Sequence, residues 1–164
     1  MPRLLFLLPM LVLFMACGEG TSTSRAETQP EAQENAIPFR IDGTLDFLRE
    51  SEHLLGIEIE IADTDSSRER GMMQREAFPD RTGMLFLFDT VEIRNFWMAN
   101  TPLALDLLFI GPDSQIVDIA KYARPFSDDL ITSSAAAQYV LEVPAGFSDS
   151  HGITEGDRVR WQRR

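Results

Sequence analysis

Residues 53–62, HLLGIEIEIA, alternate apolar and polar side chains, with Ile57, Ile59 and Ile61 separated by glutamates. Neighbouring side chains of a β-strand point to opposite faces, so this period of two predicts a strand with one buried face. Such a strand needs neighbouring strands to satisfy its backbone and an apolar layer to cover its buried face. The chain is therefore expected to fold around a sheet.

Further short segments rich in aliphatic and aromatic residues follow at close spacing. The predicted strands are two short ones within 39–52, on either side of an Asp42-Gly43 turn, and then 83–88, 94–98, 103–110, 115–122, 139–143 and 158–162. Helix is expected over 63–73 and as one turn within 146–152, and residues 123–137 are expected to form a loop that contains a helical piece. Many short strands with one or two short helices predict a mainly β fold, a small antiparallel β-sandwich or barrel of jelly-roll type.

The N-terminal segment has the features of an export signal. Arg3 precedes an apolar run over residues 4–15, which is shorter than the roughly 20 residues that cross a bilayer as a helix. Ala16 then precedes Cys17, the only cysteine of the chain. This arrangement resembles a bacterial lipoprotein signal, which implies removal of residues 1–16 and lipid attachment to the Cys17 thiol.

Residues 17–38 are rich in Ser, Thr, Glu, Gln and Pro, with few large apolar side chains. Such a segment cannot bury enough surface to offset its ordering entropy, so we expect a disordered tether. Residues 39–164 then form a single β-rich domain, held to the cell envelope through its anchor. In a host with two membranes, Gly18 after the cysteine implies the periplasmic side of the outer membrane.

The charge balance excludes several classes of partner. The chain has 26 acidic and 15 basic residues, a net charge of -11. Nucleic acids and anionic membrane surfaces are bound through Lys and Arg, so neither is an expected partner of the folded domain. One cysteine and two histidines, His53 and His151, also make a zinc-type metal site an unfavoured prediction. No cofactor is expected.

The densest apolar and aromatic stretch outside the N-terminus is 83–106, and its second half mixes polar residues with Trp97. An aromatic side chain beside Asn100 and Thr101 suits a sugar or peptide ligand. Alternation along a strand places Trp97 on the face opposite to Met98. Trp97 therefore packs in a second core layer, which we favour, or faces a ligand groove.

Two carboxylates, Asp106 and Glu142, fall on predicted strands that are otherwise rich in aliphatic residues. Brought together in a pocket, such a pair can carry out acid-base chemistry. The alternative, which we favour, is that each accepts hydrogen bonds from buried backbone or pairs with Arg75 or Arg94. No Gly-x-Ser-x-Gly elbow supports a serine hydrolase.

Five segments, taken in order, closely resemble the domain of unknown function 192 family: ADTDSSRERGMMQRE, GMLFLF, FWMANTPLALDLLFI, YVLEVPAG and HGITEGDRV. The resemblance covers about 57–161 and implies a small β-rich domain, jelly-roll or barrel-like, without an established reaction. The family usually has Lys at the position of Ala99, and many members have cysteines in the loop before strand 139–143. This chain has neither.

These features predict a lipid-anchored cell-envelope protein that serves as a binding or accessory module for a small polar ligand, glycan or peptide. The predicted contacts are Trp97, Asn100, Thr101, Asp106 and Glu142. An envelope hydrolase using carboxylate acid-base chemistry and a purely structural envelope protein are the alternatives. We favour a binding module over an enzyme.

Overall fold

The computed structural model describes residues 37–164. The predicted signal, Cys17 and nearly all of the tether lie outside these residues. The described chain is mainly β with two short helices, as predicted. Its elements are β1 (Gly43–Arg49), β2 (Glu52–Ala62), α1 (Asp65–Arg70), β3 (Thr82–Glu92), β4 (Asn95–Phe96), β5 (Leu105–Ile110), β6 (Ile116–Ala123), β7 (Ile131–Thr132), β8 (Ala137–Pro144), α2 (Phe147–Ser150) and β9 (Arg158–Arg163).

Seven strands form one sheet in the order β6-β5-β8-β3-β2-β1-β9. All its neighbouring pairs are antiparallel except β2 and β3, which run parallel, so the sheet is predominantly antiparallel, and this one parallel pair was not part of the prediction. β2 and β3 run parallel because residues 63–81, which contain α1, carry the chain back to the end of the sheet at which β2 begins. A crossover of this length joins parallel strands, whereas a hairpin joins antiparallel ones.

The seven-stranded sheet is not closed into a barrel. Its edge strands, β6 and β9, approach each other only near their first residues, where a single bridge joins Gln115 to Arg158. β4 and β7 form a separate two-stranded sheet, in which Phe96 pairs with Ile131. This second sheet lies within the stretches predicted as strand 94–98 and as an irregular loop.

The first strand also differs from its prediction. Instead of two short strands around Asp42-Gly43, a single strand, β1, begins at Gly43 and pairs with both β2 and β9. Asp42 is not a turn residue, because its backbone N–H donates to Ile59 O and its carboxylate accepts from Ile61 N. Asp42 thus extends the β1–β2 pairing by side chain as well as by backbone.

The two faces of the large sheet bury separate apolar clusters. Leu85, Leu108 and Leu141 belong to one cluster together with Phe147 of α2. Their sequence neighbours belong to the other cluster, which we call the cleft-side cluster; it contains Met84, Phe86, Leu107, Phe109, Val140, Met72 and Met98. Successive residues of a strand therefore alternate between two buried surfaces, which explains the continuous apolar composition of β5.

The helix α1 is fixed at both ends. Thr64 caps its first turn, because its hydroxyl accepts from Ser67 N while Ser67 Oγ accepts from Thr64 N. Arg68 then ties the helix to β3 through a 2.8 Å hydrogen bond to Leu87 O. The helix ends at Gly71, whose φ of +48° is rarely adopted by other residues.

Within residues 37–164, no helix is long and apolar enough to span a membrane.

Candidate functional site

A cleft of about 420 Å³ opens on the cleft-side cluster. Its walls come from α1 and the turn after it, from β3, and from the segment 95–101. Its aromatic lining residues are Phe86, Phe88, Phe96 and Trp97, and its other lining residues are Arg68, Glu69, Arg70, Gly71, Met72, Met73, Asn95, Thr101, Leu130 and Glu142. A mainly apolar lining with few polar groups is typical of small-molecule sites.

Glu142 is the buried acid of this cleft. Its side chain is only 4% exposed, and its Oε2 has no hydrogen-bond partner within the described residues. Burial raises the pKa of this carboxyl to about 8, and the positive charge of Arg75 opposes the rise only in part. At neutral pH, Glu142 is therefore chiefly a neutral carboxylic acid that is able to donate a hydrogen bond.

Glu142 has no ion pair among the described residues, because the buried cation that acts on its pKa, Arg75, is already engaged. Arg75 donates its two terminal nitrogens to the two oxygens of Glu60, at 2.8 Å each. Glu60 also accepts the backbone N–H of Arg40 at 3.0 Å. The prediction that Glu142 pairs with Arg75 or Arg94 is therefore wrong.

The aromatic side chains of the cleft pack edge to face. Phe96 lies 5.2 Å from Phe86 and 6.4 Å from Phe88, measured between ring centroids, with interplanar angles of 86°. The guanidinium of Arg94 lies 3.9 Å from the Phe88 ring centroid and that of Arg68 lies 5.5 Å from it, both within cation–π range. These contacts hold the aromatic wall in one arrangement, which limits the ordering entropy that a ligand has to overcome.

Trp97 lies at the rim and not in the core, with 53% of its surface exposed. The alternation predicted around it is present, because Met98 is buried and Asn95 is exposed. Of the two interpretations of Trp97, packing in a second core layer is wrong, since the ring faces the cleft and the solvent. An exposed tryptophan at the mouth of an apolar cleft offers a large contact surface at small entropic cost.

Thr101 and Asn100 have different places. Thr101 is buried, lines the cleft, and donates its N–H to Met98 O at 3.1 Å. Asn100 adopts a φ of +56° in this turn, and its carbonyl accepts from Gln74 N at 2.8 Å. Asn100 thus connects the two walls through its backbone, and its side chain is not part of the lining.

Asp106 is also outside the cleft. Residues that face each other across an antiparallel pair lie on the same face, and β8 pairs Glu142 with Leu107 and Val143 with Asp106. The two predicted site carboxylates therefore lie on opposite faces of the sheet, so they do not form an acid-base pair. Asp106 is fully buried and accepts the backbone N–H groups of Tyr122, Gly146 and Ser148.

Several cleft residues were missed by sequence reasoning. Phe86 and Phe88 read as core strand, although their spacing of two places both rings on one face. The turn after α1 carries Gly71 and Met73 into the cleft, and Leu130 reaches it from a segment that showed no regular pattern. The one usable signal was the period of two in GMLFLF.

Within residues 37–164, no group of three or more potential metal ligands is close enough to bind an ion.

The fold and the cleft together define a small, mainly β domain with a ligand-sized site on one face of its sheet. The chain belongs to the DUF192 family, described as "Uncharacterized ACR", whose sequence profile matches residues 47–161. A search of curated proteins finds no match.

Two solved structures are similar to the chain. One is a Sinorhizobium meliloti 1021 protein, described as a candidate transcription regulator, with 33% identity and a TM-score of 0.71 over 77% of this chain and 98% of that one. The other is a protein of unknown function from Novosphingobium aromaticivorans DSM 12444, with 29% identity and a TM-score of 0.70 over 87% of this chain and all of that one. They support the fold and leave the activity open.

Proposed function

We propose that this protein is a lipid-anchored binding module of the cell envelope whose cleft takes a small ligand, such as a peptide, with an apolar body and one polar group. The observation that carries the proposal is the buried Glu142 Oε2, which lacks a hydrogen-bond partner within the described residues. A buried polar atom without a partner is unfavourable by about 1–3 kcal/mol. A ligand acceptor placed against the protonated carboxyl would recover that free energy on binding.

The lining supports the apolar part of this ligand. Phe86 and Phe96 form the inner aromatic surface, and the exposed ring of Trp97 lies at the rim. Because the surface of the cleft is mainly apolar, a peptide side chain suits it better than a glycan, whose hydroxyl groups need several polar partners.

The envelope location is supported by the sequence of residues 1–17, with its apolar run and following cysteine. We expect Cys17→Ser to abolish metabolic labelling by palmitate and to release the protein from the membrane fraction. An unchanged membrane fraction for this variant would exclude the lipid anchor.

The binding function is tested by ligand-induced thermal shifts and isothermal titration calorimetry, with a library of capped dipeptides, aromatic amides and short oligosaccharides. We expect compounds that raise the melting temperature of the wild type to lose at least about tenfold in affinity for Trp97→Ala, a loss of about 1.4 kcal/mol. Phe126→Ala is the matched control, because Phe126 is 65% exposed and does not line the cleft. Undiminished affinity of Trp97→Ala for every compound would refute this site.

A second candidate function is acid-base hydrolysis within the same cleft. It is favoured by one observation, the pKa of about 8 of Glu142, because a carboxyl that titrates near neutral pH can act as a general acid. If this function is present, the wild type cleaves a bound compound, which mass spectrometry detects, and Glu142→Gln does not. Turnover that is retained in this variant rules it out.

A further inference from the structure

A second pocket, of about 180 Å³, shares Arg70 and Gly71 with the cleft as wall residues. Its other charged lining residues are Arg40, Glu60 and Arg75. We call it the arginine pocket. Three guanidinium groups around a single carboxylate contrast with the acidic balance of the chain as a whole, whose net charge is -11.

The charges of the arginine pocket do not cancel. Glu60 pairs with Arg75, and Arg40 pairs with Asp42 as well as with Glu60. Even with Asp42 counted, one positive charge is left over. That charge is on Arg70, which is exposed and has no ion pair within the described residues. A local positive charge on an acidic protein attracts an anionic group to that position.

A second, independent observation points to a ligand in the arginine pocket. The side chain of Arg75 is 4% exposed, and its Nε has no hydrogen-bond partner within residues 37–164. A guanidinium offers five N–H donors, and the ion pair with Glu60 uses the terminal nitrogens. Of the three donors that remain, the Nε–H is the one on an atom without any partner, and it is a group to which a carboxylate binds strongly.

We propose that the arginine pocket is an anion subsite of the cleft, and that the ligand of this domain carries a carboxylate beside its apolar body. One surplus positive charge matches one carboxylate. The proposal rests on the proposed binding function and adds the charge of the ligand to it.

The sheet register sets the length of this ligand. Met84 pairs with Glu60 on one side and with Glu142 on the other, so the two glutamates share a face with one strand between them. Two strand spacings correspond to about 10 Å. A capped dipeptide with a free C-terminal carboxylate has this span, since each extended residue covers about 3.5 Å.

The test uses acetyl-phenylalanyl-alanine and its C-terminal amide, with acetate and inorganic phosphate as small anions, all at one ionic strength. Two-dimensional NMR follows the indole N–H of Trp97 for the cleft and the Nε–H of Arg70 and Arg75 for the arginine pocket. We expect the acid to bind at least about tenfold more tightly than the amide and to shift all three signals.

Two variants separate a local effect from the overall charge. Arg70→Gln is expected to bring the affinities of acid and amide within about threefold of each other. Arg160→Gln is the matched control, because Arg160 is exposed, changes the net charge equally and lines neither the cleft nor the arginine pocket. It should leave the preference for the acid unchanged.

The outcomes also separate the two proposals. Equal binding of acid and amide, with a shift of the Trp97 signal in both, overturns the anion subsite and leaves the cleft as the binding site. If acetate shifts the Arg75 Nε–H signal saturably while no peptide shifts the Trp97 signal, the cleft is not the binding site and the arginine pocket is not a subsite of it. Tighter binding of phosphate than of acetate overturns the proposal that the ligand carries a carboxylate. Unchanged signals with every probe overturn both the anion subsite and the binding function of the cleft.

Discussion

Arg75 forms a bidentate ion pair with Glu60, at 2.8 Å for each hydrogen bond, while Glu142 on the same face of the sheet keeps an oxygen without a donor among residues 37–164. The sheet thus holds two buried glutamates of different character one strand apart. Glu60 is the ion-paired carboxylate, and Glu142 is the acid that burial keeps protonated. The difference arises because one guanidinium cannot give two parallel hydrogen bonds to both.

The first prediction concerns stability and pH. The pKa of Glu142 is about 8 in the folded protein, against 4.5 for an ordinary glutamate. Between these pH values the folded state binds more protons than the unfolded state, so this residue makes the free energy of unfolding fall as the pH rises. Glu142→Gln removes this loss, and we expect its stability relative to the wild type to rise by about 4 kcal/mol between pH 5 and pH 8.5 in urea titrations.

The matched control for that measurement is Glu76→Gln, because Glu76 is exposed. Its difference from the wild type should stay small and constant across the same pH range. A constant difference for Glu142→Gln as well would show that Glu142 titrates like a solvated carboxyl.

The second prediction separates Asp106 from ligand binding. Asp106 accepts three backbone N–H groups, and Asn retains only one acceptor oxygen. We expect Asp106→Asn to lower the free energy of unfolding by about 2–4 kcal/mol without changing the affinity of any cleft ligand. Asp118→Asn is the comparison, since Asp118 is partly exposed and accepts the N–H of Ser134. A loss of ligand affinity in folded Asp106→Asn would place Asp106 in the binding machinery after all.

Most strand segments were predictable because each shows either a period of two or a short apolar run. The alternation of Ile57, Ile59 and Ile61 identifies β2 directly, and all three are buried. The alternation does not indicate which strand lies beside β2, so the parallel pairing of β2 with β3 was not predicted. That pairing depends on a crossover whose direction is set by tertiary packing.

The candidate site was only partly predictable for the same reason. Trp97, Thr101 and Glu142 line the cleft, whereas Asn100 and Asp106 do not. A single residue of register decides whether a strand carboxylate faces the cleft or the opposite cluster. The sequence identifies polar residues within buried strands, but the face of each depends on pairing between β5 and β8, which are distant in the chain.

The third prediction concerns the glycine that forms part of the cleft. Gly71 has φ +48°, and a Cβ at this position would lie 3.2 Å from Phe86 Cζ and 3.6 Å from Glu142 Oε2. Gly152 has a similar φ of +64°, but a Cβ there meets nothing within 4 Å. We expect Gly71→Ala to be more destabilising than Gly152→Ala by about 1–2 kcal/mol, because only the first adds a steric contact to the backbone strain.

This comparison is made by thermal and urea unfolding of both variants. The same added methyl group enters the cleft beside Glu142, so Gly71→Ala should also weaken ligand binding, while Gly152→Ala should not. Equal losses of stability would mean that Phe86 moves aside without cost.

The fourth prediction tests the buried ion pair that leaves Glu142 unpaired. Arg75→Met removes the bidentate partner of Glu60, whose remaining contacts are to the backbone N and the guanidinium of Arg40. We expect a loss of about 3–5 kcal/mol, because a buried carboxylate loses its main partner. The double variant with Glu60→Met should recover part of this loss, since it removes the stranded charge. Arg40→Met is the control, and its side chain is 56% exposed, so we expect a loss below about 1 kcal/mol.

The double variant also tests the link from this ion pair to the cleft. The positive charge of Arg75 lowers the pKa of Glu142 against the larger effect of burial. Arg75→Met alone removes that charge, so its Glu142 carboxyl should titrate at a still higher pH, whereas the double variant also removes the negative charge of Glu60 and should show a smaller change. NMR titration of its side-chain carbon in both proteins measures the change. An unaltered titration midpoint in Arg75→Met would show that Arg75 has no influence on the acid of the cleft.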